Sequence, residues 1–303
     1  MDLDLTQDQA GLLDAIGKLT ASFRIPPPGA AQDFLVSADL DARLSDGGFR
    51  DVARFDGMGA LEAVLLTETV ASLPFVCEFA ASAIVAPKIG IAAGHPTVLM
   101  RAPFDAPARF LANAGIALAE DGDDVRVIDL AGRDVEPLTA PFGYPLGRLR
   151  STDMAGTERI AGAAPLLRQW WNVALAAEIG AVAKAAVDLT VEYVKDRRQF
   201  GRAIGSYQAV QHRLSECVVA VQAIELLARR AAATETPEDA LAAAAYAKEA
   251  CARIIYDTHQ FHGAIGVTYE YPLHLWTYRL RLLQGELGSF ADTASALAAS
   301  RWG

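Results

Sequence analysis

The sequence predicts a mainly α-helical protein with a small β domain: N-terminal helices, a short middle β sheet and a C-terminal antiparallel four-helix bundle. Three observations lead to this fold class. Long segments at both ends carry apolar residues three or four positions apart, the pattern of amphipathic helices. A central region instead contains brief alternating runs between turn residues, which is typical of strands. The 303 residues, 52% of them hydrophobic, are enough to bury a sizeable core.

Residues 1–90 are predicted to form a shortened N-terminal helical domain. Leu5 to Phe23 has helical periodicity, and the three prolines at 26–28 end the helix because they cannot continue it. A less regular acidic stretch follows. Two further helices are predicted over Met58–Ser72 and Phe75–Gly90, with Pro74 between them.

Residues 91–150 are predicted to form a small, reduced β domain. Short apolar or alternating runs are separated here by turn residues such as Asn113-Ala114-Gly115. The pattern indicates a meander of short strands. The predicted strands are Thr97–Met100, Phe110–Ala112, Ile116–Ala119 and Val125–Ile128.

Residues 151–303 are predicted to form the C-terminal helix bundle. Thr236 and Pro237 suit the N-cap and first turn of a helix that runs to about Ala264. Long amphipathic segments with short links favour an antiparallel arrangement. One apolar stripe consists of Leu175, Ile179, Val182, Ala186, Leu189 and Tyr193, and the next of Val210, Leu214, Cys217, Val221, Ile224 and Ala228.

The charge of the chain excludes some classes of partner. Lys and Arg number 27 against 37 Asp and Glu, which gives a net charge of −10. Such a chain has no general attraction for nucleic acid or for an anionic membrane, so an anionic ligand must be held by a local basic cluster. No uncharged apolar run reaches the ~18 residues that indicate a membrane span.

The cysteines and histidines predict neither a disulfide framework nor a metal site. The cysteines are three in number and far apart, and the histidines near the C-terminus lack a credible zinc-binding spacing. The acidic start of the chain lacks the basic and apolar regions of a secretory signal. We therefore expect a cytoplasmic protein without a bound metal.

The stretch from Asp196 to Gln208, DRRQFGRAIGSYQ, interrupts the helical pattern with arginines and glycines. One interpretation is a helix C-terminus followed by a turn at Gly201 and Gly205. The other is an anion site made by Arg197 and the backbone amides around Gly201, since arginine binds two phosphate oxygens at once. These residues alone leave both open.

A second unusual stretch, HQFHGAIGVTYEYPLHLWTYR, runs from His259 to Arg279. Gly263 and Gly266 lie here in an otherwise helical, aromatic-rich region. Glycines at this spacing let another backbone or a flat ligand approach closely. The alternative is a helix–helix turn whose histidines have hydrogen-bond partners within the fold.

Together these stretches resemble the acyl-CoA dehydrogenase family. The family's R-x-x-F-G-x-x-I-x-x-x-Q run is similar to the first, and its Q-x-x-G-G-x-G run is similar to the second. The N-terminal helices resemble the family more weakly. The first run is matched by Arg197, Phe200, Gly201, Ile204 and Gln208, and the second by Gln260, Gly263 and Gly266, with Ala264 in place of one glycine.

The resemblance implies an FAD site shared between subunits. In the family, the arginine and glutamine of the first run bind the pyrophosphate and adenosine of FAD across a subunit interface, and the second run encloses the same dinucleotide. The resemblance also implies α,β-dehydrogenation of an acyl-CoA. In this reaction a base removes the α proton, and flavin N5 accepts the β hydride. The reduced flavin then passes its electrons to an electron-transfer acceptor. The implied FAD-binding residues are Arg197, Phe200, Gln208, Gln260, Gly263 and Ala264.

The implied catalytic base is Glu286, in the segment RLLQGELGSF, although no Glu-Gly-Thr follows it as is common in the family. Glu178 is a second carboxylate without a marked context. The middle sheet also lacks the family's hydroxyl-rich T-E-P-x-x-G-S-D type of segment, and the chain is short for the family. Trp170, Trp171 and Trp276 are expected to be packing or interface residues and not to stack on a flavin.

Three interpretations follow from the resemblance and its departures. The preferred one is a short subunit that supplies FAD-binding residues to a longer acyl-CoA dehydrogenase subunit, in an α2β2 heterotetramer of lipid or steroid degradation by β-oxidation. The second is a self-sufficient homo-oligomeric enzyme that uses Glu286. The third is a non-catalytic structural homologue.

Overall fold

The computed structural model describes residues 4–92, 96–139, 141 and 143–303, so residues 1–3, at the acidic start considered above, lie outside it. Its helices are α1 (Gln7–Leu19), α2 (Ala38–Asp46), α3 (Ala60–Ala71), α4 (Ala86–Lys88), α5 (Ala164–Asp196), α6 (Gln208–Thr234), α7 (Pro237–His262), α8 (His274–Leu283) and α9 (Phe290–Trp302). Its strands are β1 (Thr97–Arg101), β2 (Ala108–Arg109), β3 (Ile116–Asp121), β4 (Asp124–Asp129), β5 (Val135–Leu138), β6 (Leu146–Leu149), β7 (Glu158–Ile160), β8 (Arg198–Gln199) and β9 (Arg202–Ala203). The predicted fold class is confirmed.

The N-terminal helices are held together by caps and by one buried polar contact. Thr6 caps α1 in a capping box with Gln9. The Gln9 side-chain amide also donates to Glu62 on α3 at 2.7 Å, which ties the two helices. Helix α2 was not predicted. It is short and capped by Ser37, whose hydroxyl accepts from the Leu40 amide at 3.2 Å.

The predicted helix over Phe75–Gly90 is wrong in its first part. Helical structure starts only at Ala80 and passes through a π-helical turn, Ala81–Val85, into α4. Phe75 instead forms a parallel bridge with Leu35, and the next amide donates to the Leu35 carbonyl at 2.7 Å. This long-range bond holds the chain extended after Pro74, where the local sequence pattern indicated helix.

The middle region contains two small sheets, with strand orders β1-β3-β4-β7 and β2-β6-β5. A simple meander is therefore wrong, because β1 and β3 pair in parallel and the chain visits the other sheet between them. The predicted strand Phe110–Ala112 is a turn that follows β2. Strands β5 to β7 were not predicted, and the last ends at Ile160, beyond residue 150. The division into three domains remains our prediction.

The C-terminal bundle is built on α5, which contacts α6, α7 and α8, while α9 lies against α7. The predicted stripes form the core: Ile179 and Val182 on α5 and Leu214, Cys217 and Ile224 on α6 are buried. Thr236 caps α7 as predicted, accepting from the Asp239 amide at 3.3 Å. Within the described ranges, no helix is long and apolar enough to cross a membrane.

Candidate functional site

Most of the predicted FAD-binding residues line one cavity at the end of the bundle. This cavity, of about 530 Å³, lies where α5 ends, α6 begins and α7 ends, and we call it the bundle-end cavity. Gln208 does not line it, although the next residue, Ala209, does. The predicted residues that line it are Arg197, Phe200, Gln260, Gly263 and Ala264.

One wall of this cavity is a tight β hairpin. Helix α5 ends at Asp196, and β8 and β9 pair on either side of Phe200 and Gly201. Both loop residues have positive φ, 53° and 84°, as a two-residue type I′ hairpin turn requires. Phenylalanine rarely adopts this conformation, and its side chain is 90% exposed. The turn therefore presents an aromatic ring to the outside instead of packing it.

The polar groups of the predicted residues are available to a ligand. Within the part of the chain that the structure describes, no hydrogen bond or ion pair engages the guanidinium of Arg197 or the side-chain amides of Gln208 and Gln260. All three residues are exposed. Gly263 has φ 64°, and a Cβ there would meet no atom within 4 Å. An arginine with free donors beside an open glycine backbone fits the pyrophosphate of a dinucleotide such as FAD.

His262 lines the bundle-end cavity and is buried. Its ring stacks on Tyr193 at 4.4 Å between centroids and tilts against Tyr271 at 4.8 Å. Its Nδ1 lies 2.7 Å from the Thr258 carbonyl oxygen, so this nitrogen carries the hydrogen. Among the described residues its buried Nε2 has no partner, and neither does Nδ1 of His259. His274, by contrast, has hydrogen-bond partners for both ring nitrogens. This agrees with the alternative that the stretch is a helix–helix turn whose histidines have partners within the fold.

We predict that acid lowers the free energy of unfolding through the protonation of His262. Burial lowers the pKa of His262 below its usual 6.5, so the folded protein binds fewer protons than the unfolded chain. The free energy of unfolding therefore decreases as the pH falls below about 6.5. The total decrease is ~1.4 kcal/mol for each unit by which the pKa in the folded protein lies below that in the unfolded chain. Urea unfolding between pH 5 and 7.5 should show a smaller acid loss in His262→Phe, which keeps the stacking. The exposed His212→Phe is the control, and an equal loss in all three proteins would contradict this role.

A second and larger cavity lies between the small sheets and the bundle. This central cavity, of about 750 Å³, is lined by β1, β2, α5 and the turn after α8. Glu286, the predicted base, lies in its wall together with Glu178 and Trp171. The structure thus brings the two carboxylates into one cavity and places all the predicted FAD-binding residues except Gln208 in another.

Glu286 is held by Arg109 and Trp171. Arg109 Nε donates to Glu286 Oε2 at 2.7 Å and Nη2 donates to Oε1 at 3.2 Å. Trp171 Nε1 donates to the same Oε1 at 2.7 Å. Arg109 also binds Glu178 with two further hydrogen bonds, of 3.0 and 2.9 Å. We call Arg109, Trp171, Glu178 and Glu286 the Arg109 cluster.

The electrostatics of the cluster favour a fixed ionic arrangement. Burial works against the charge of Arg109, but Glu178 and Glu286 outweigh it and raise the pKa of the guanidinium well above its ordinary value. The guanidinium also lies over the Tyr144 ring at 4.7 Å. The oxygens of Glu286 already accept three hydrogen bonds, which hold the carboxylate against Arg109 and Trp171.

Unusual backbone conformations flank the cluster on both sides. Phe110, directly after Arg109, has φ 61°, and Leu287, directly after Glu286, has φ 58°. Non-glycine residues in this region cost energy and concentrate at functional sites. Lys248 anchors the second turn, because its Nζ donates to the Gly288 carbonyl at 2.9 Å and to Thr293 at 3.0 Å.

Sequence reasoning missed Arg109 altogether and took Trp171 for a packing residue. Trp171 is buried, at 4% exposure, but its indole N–H holds Glu286. The only sequence signal for Arg109 was a charged residue inside the apolar run Ala108 to Leu111.

In the described ranges no group of three His, Cys, Asp or Glu side chains could hold a metal ion.

Solved structures with this arrangement of helices, sheets and bundle include acyl-CoA dehydrogenases. The fold is similar to that of the ChsE4-ChsE5 complex from Mycobacterium tuberculosis, with a TM-score of 0.80, 19% identity and 100% of both chains covered. It is also similar to butyryl-CoA dehydrogenase from Megasphaera elsdenii, with a TM-score of 0.83, 15% identity and 99% of both chains covered. These likenesses define the fold.

Sequence comparison gives the family. Residues 170–290 match the model of the acyl-CoA dehydrogenase C-terminal domain. The acyl-CoA dehydrogenase IpdE2 of Mycobacterium tuberculosis is 39% identical over 107 residues, which cover 35% of this chain and 34% of IpdE2. IpdE2 of Mycolicibacterium smegmatis is 35% identical over 169 residues, 55% of this chain and 52% of the relative. Over residues 170–290 the chain is an acyl-CoA dehydrogenase C-terminal domain, and its matches span a third to a half of these relatives.

Proposed function

We propose that this chain is a subunit of an FAD-dependent acyl-CoA dehydrogenase and contributes half of an FAD site to a longer partner subunit. The observation that carries the proposal is the contrast between the two cavities. At the bundle-end cavity the side chains of Arg197 and Gln260 are exposed and have no partner among the described residues, whereas Glu286 in the central cavity is engaged by Arg109 and Trp171. The bundle-end cavity is open to an external group, whereas the two carboxylates of the Arg109 cluster in the central cavity are already paired.

In this proposal the bundle end holds the dinucleotide part of FAD. Arg197 would bind the pyrophosphate with charge-assisted hydrogen bonds, and Gln260 and the Gly263 backbone would enclose it. The open side of the cavity and the exposed Phe200 ring would be covered by the partner. When bound, FAD would accept the β hydride of an acyl-CoA and pass the electrons to an external acceptor.

The residues of this chain do not supply the base in this proposal. A base that removes the α proton needs a free carboxylate within hydrogen-bond reach of the substrate. Glu286 accepts from three donors and Glu178 from two, and these bonds orient both carboxylates towards groups of this chain. We therefore assign proton abstraction and thioester binding to the longer partner. The heteromeric state is consistent with one relative in fold, which was solved as the ChsE4-ChsE5 complex.

The proposal extends to assembly and to the kind of substrate. We propose an α2β2 heterotetramer in the cytoplasm that acts on acyl-CoA thioesters with bulky groups, such as steroid side chains. One structural relative, the Tcur3481-Tcur3483 pair, is described as a steroid acyl-CoA dehydrogenase, which supports this choice. The substrate itself is to be found by assaying acyl-CoA thioesters of graded bulk.

Co-expression with a longer homologue encoded nearby tests the proposal. We expect a stable complex by sedimentation, about one flavin per pair of unlike chains, and little flavin on this chain purified alone. Stoichiometric flavin on the isolated chain, together with acyl-CoA dehydrogenase activity, would instead support the self-sufficient enzyme. A complex without flavin or activity would support the non-catalytic homologue.

We predict that Glu286→Gln leaves most of the activity of the complex intact. Removing a true general base costs roughly 10²-fold or more in rate, whereas Glu286 is a partner of Arg109 in the cluster. The measurement is dye reduction with acyl-CoA substrates at equal flavin content. A hundredfold loss, in the range expected for a general base, would make Glu286 the base and overturn its assignment to the partner.

A further inference from the structure

Helix α6 carries a second stripe of residues on the side opposite to its buried one. The buried stripe, which includes Leu214, Cys217 and Ile224, packs in the core of the bundle. The residues of the second stripe are spaced by alternating steps of four and three, so they lie along one face of the helix. All of them are exposed except Ala223, which is half-buried. We call this set the outer stripe: His212, Glu216, Val219, Ala223, Leu226 and Arg230.

The centre of the outer stripe is apolar and open to solvent. Val219 is 62% exposed and Leu226 is 39% exposed, and Ala223 lies between them. The helices α3, α5 and α7 pack against other sides of α6. A repeat of four and three residues with an apolar centre is the pattern of a helix that packs along a second helix. Among the described residues no helix occupies that place, since the two side chains remain exposed.

The outer stripe is nearly symmetric about Ala223. Val219 lies four residues before it and Leu226 three residues after it, while Glu216 and Arg230 lie seven residues before and after it. In an antiparallel pair of α6 helices with a two-fold axis at Ala223, Val219 would contact Leu226 of the second copy. Glu216 would face Arg230 of the second copy, and each contact would occur twice. The small side chain of Ala223 would allow the two helices to approach closely at the axis.

The charged ends of the stripe favour a second copy in this antiparallel order. Glu216 pairs with Arg253 and Arg230 pairs with Asp239 within the chain, but Glu216 and Arg230 are each 55% exposed and can add a partner. A parallel pair would bring two Glu216 side chains together at one end and two Arg230 side chains at the other. Like charges on neighbouring helices repel, so the charges select the antiparallel arrangement.

We infer that two copies of this chain associate through their outer stripes, as an antiparallel pair of α6 helices about a two-fold axis at Ala223. In the proposed α2β2 assembly this contact would join the two copies of this chain. Ala223 lies about 22 Å along the helix from Gln208, the first residue of α6, which is at the bundle end. The inference takes from the proposed function only the presence of two copies in the assembly. It involves neither FAD nor the bundle-end cavity, so either can fail without the other.

The contact is expected to be weak in the isolated chain and stable in the assembly. One pair of helices buries less surface than a standard interface of about 1,600 Å². Within the assembly, the longer partner would hold the two copies at a high effective concentration. A test of the contact must therefore include both the chain alone and its complex with the longer homologue.

Cysteine crosslinking tests the position of the axis. Ala223→Cys would place two thiols side by side, whereas His212→Cys, on the same stripe, would place them about 33 Å apart along the helices. With a short bifunctional maleimide we expect Ala223→Cys to give dimers of this chain, both alone at high concentration and in the complex. We expect no such dimers from His212→Cys or from the wild type, in which Cys217 and Cys251 are buried. Crosslinking of Ala223→Cys only to the longer chain, or no crosslinking, overturns the inference.

Substitutions on the stripe test its apolar centre. Val219→Asp and Leu226→Asp should each weaken self-association of the chain by about tenfold or more, because each removes a buried apolar contact from both copies. Sedimentation equilibrium measures the effect. Ile25→Asp is the matched control, because Ile25 is 80% exposed and lies outside α6. Unchanged association in both stripe variants would contradict the inferred contact.

Charge reversal tests the antiparallel order. Glu216→Arg should weaken self-association severalfold, because two ion pairs between the copies are replaced by like charges. Adding Arg230→Glu to Glu216→Arg should restore the association, since opposite charges then face each other again. A parallel pair predicts no recovery in the double variant, so absence of recovery overturns the inferred arrangement. The urea unfolding curve of each variant shows that the chain itself still folds.

Discussion

Replacing Arg109 by methionine is expected to lower the free energy of unfolding by about 3–5 kcal/mol, the cost of removing one partner from a buried ion pair. Arg109 is 14% exposed, and its partners Glu178 and Glu286 are 9% and 15% exposed. Without the guanidinium, the two carboxylates would lie in the cavity wall without the cation that pairs them. Methionine keeps much of the side-chain volume, so the loss reports mainly on charge.

Urea unfolding at neutral pH measures this effect, with Arg148→Met as the control. Arg148 pairs with Glu136 at the surface, where it is 48% exposed, so its loss should cost no more than about 1 kcal/mol. Adding Glu178→Gln and Glu286→Gln to Arg109→Met should restore part of the stability, because no unpaired charge remains. Equal effects of Arg109→Met and Arg148→Met would show that the cluster contributes no more than a surface pair.

The parts of the fold that were predicted correctly are those that a local pattern determines. The stripe on α6 is a repeat of three and four residues, and Leu214, Cys217, Val221, Ile224 and Ala228 are all buried. The start of α7 follows from Thr236 and Pro237 alone. Such signals lie within one turn of a helix, so a single sequence is enough to find them.

The errors arise where distant segments decide the local structure. Phe75 is extended because its neighbour's amide bonds to the Leu35 carbonyl, which the helical pattern of 75–90 does not reveal. Strands β1 and β3 pair in parallel, although the short runs suggested a meander. The strand order and register of a small sheet depend on which strands become neighbours, and the sequence of a single strand does not determine this.

The same distinction applies to the candidate sites. The bundle-end cavity was predictable in outline, because its residues come from two compact motifs and the helices that carry them are adjacent. The role of Glu286 was not, because it depends on Arg109, 177 residues away in sequence, and on Trp171, 115 residues away. A carboxylate near the expected position of a base therefore reveals little until its partners are known.

Replacing Arg197 by alanine is expected to weaken FAD binding by the proposed complex by about 10- to 150-fold, which corresponds to the ~1.5–3 kcal/mol of one charge-assisted hydrogen bond. Arg197 follows the last residue of α5 and lines the bundle-end cavity, and its guanidinium has no partner among the described residues. Its loss should therefore remove a ligand contact without breaking a contact within the fold. Flavin content after gel filtration and a titration of the flavin-free complex with FAD measure the effect.

Arg198→Ala is the matched control for this prediction. Arg198 is the neighbouring residue, is equally exposed and carries the same charge, but it lies in β8 and does not line the cavity. A general electrostatic effect of the basic hairpin would lower FAD affinity in both variants alike. If Arg197 binds the FAD pyrophosphate at the cavity, the Arg197→Ala complex should lose flavin and the Arg198→Ala complex should retain it. The oligomer should remain intact in both variants. Equal flavin content in the two complexes would remove Arg197 from the FAD site.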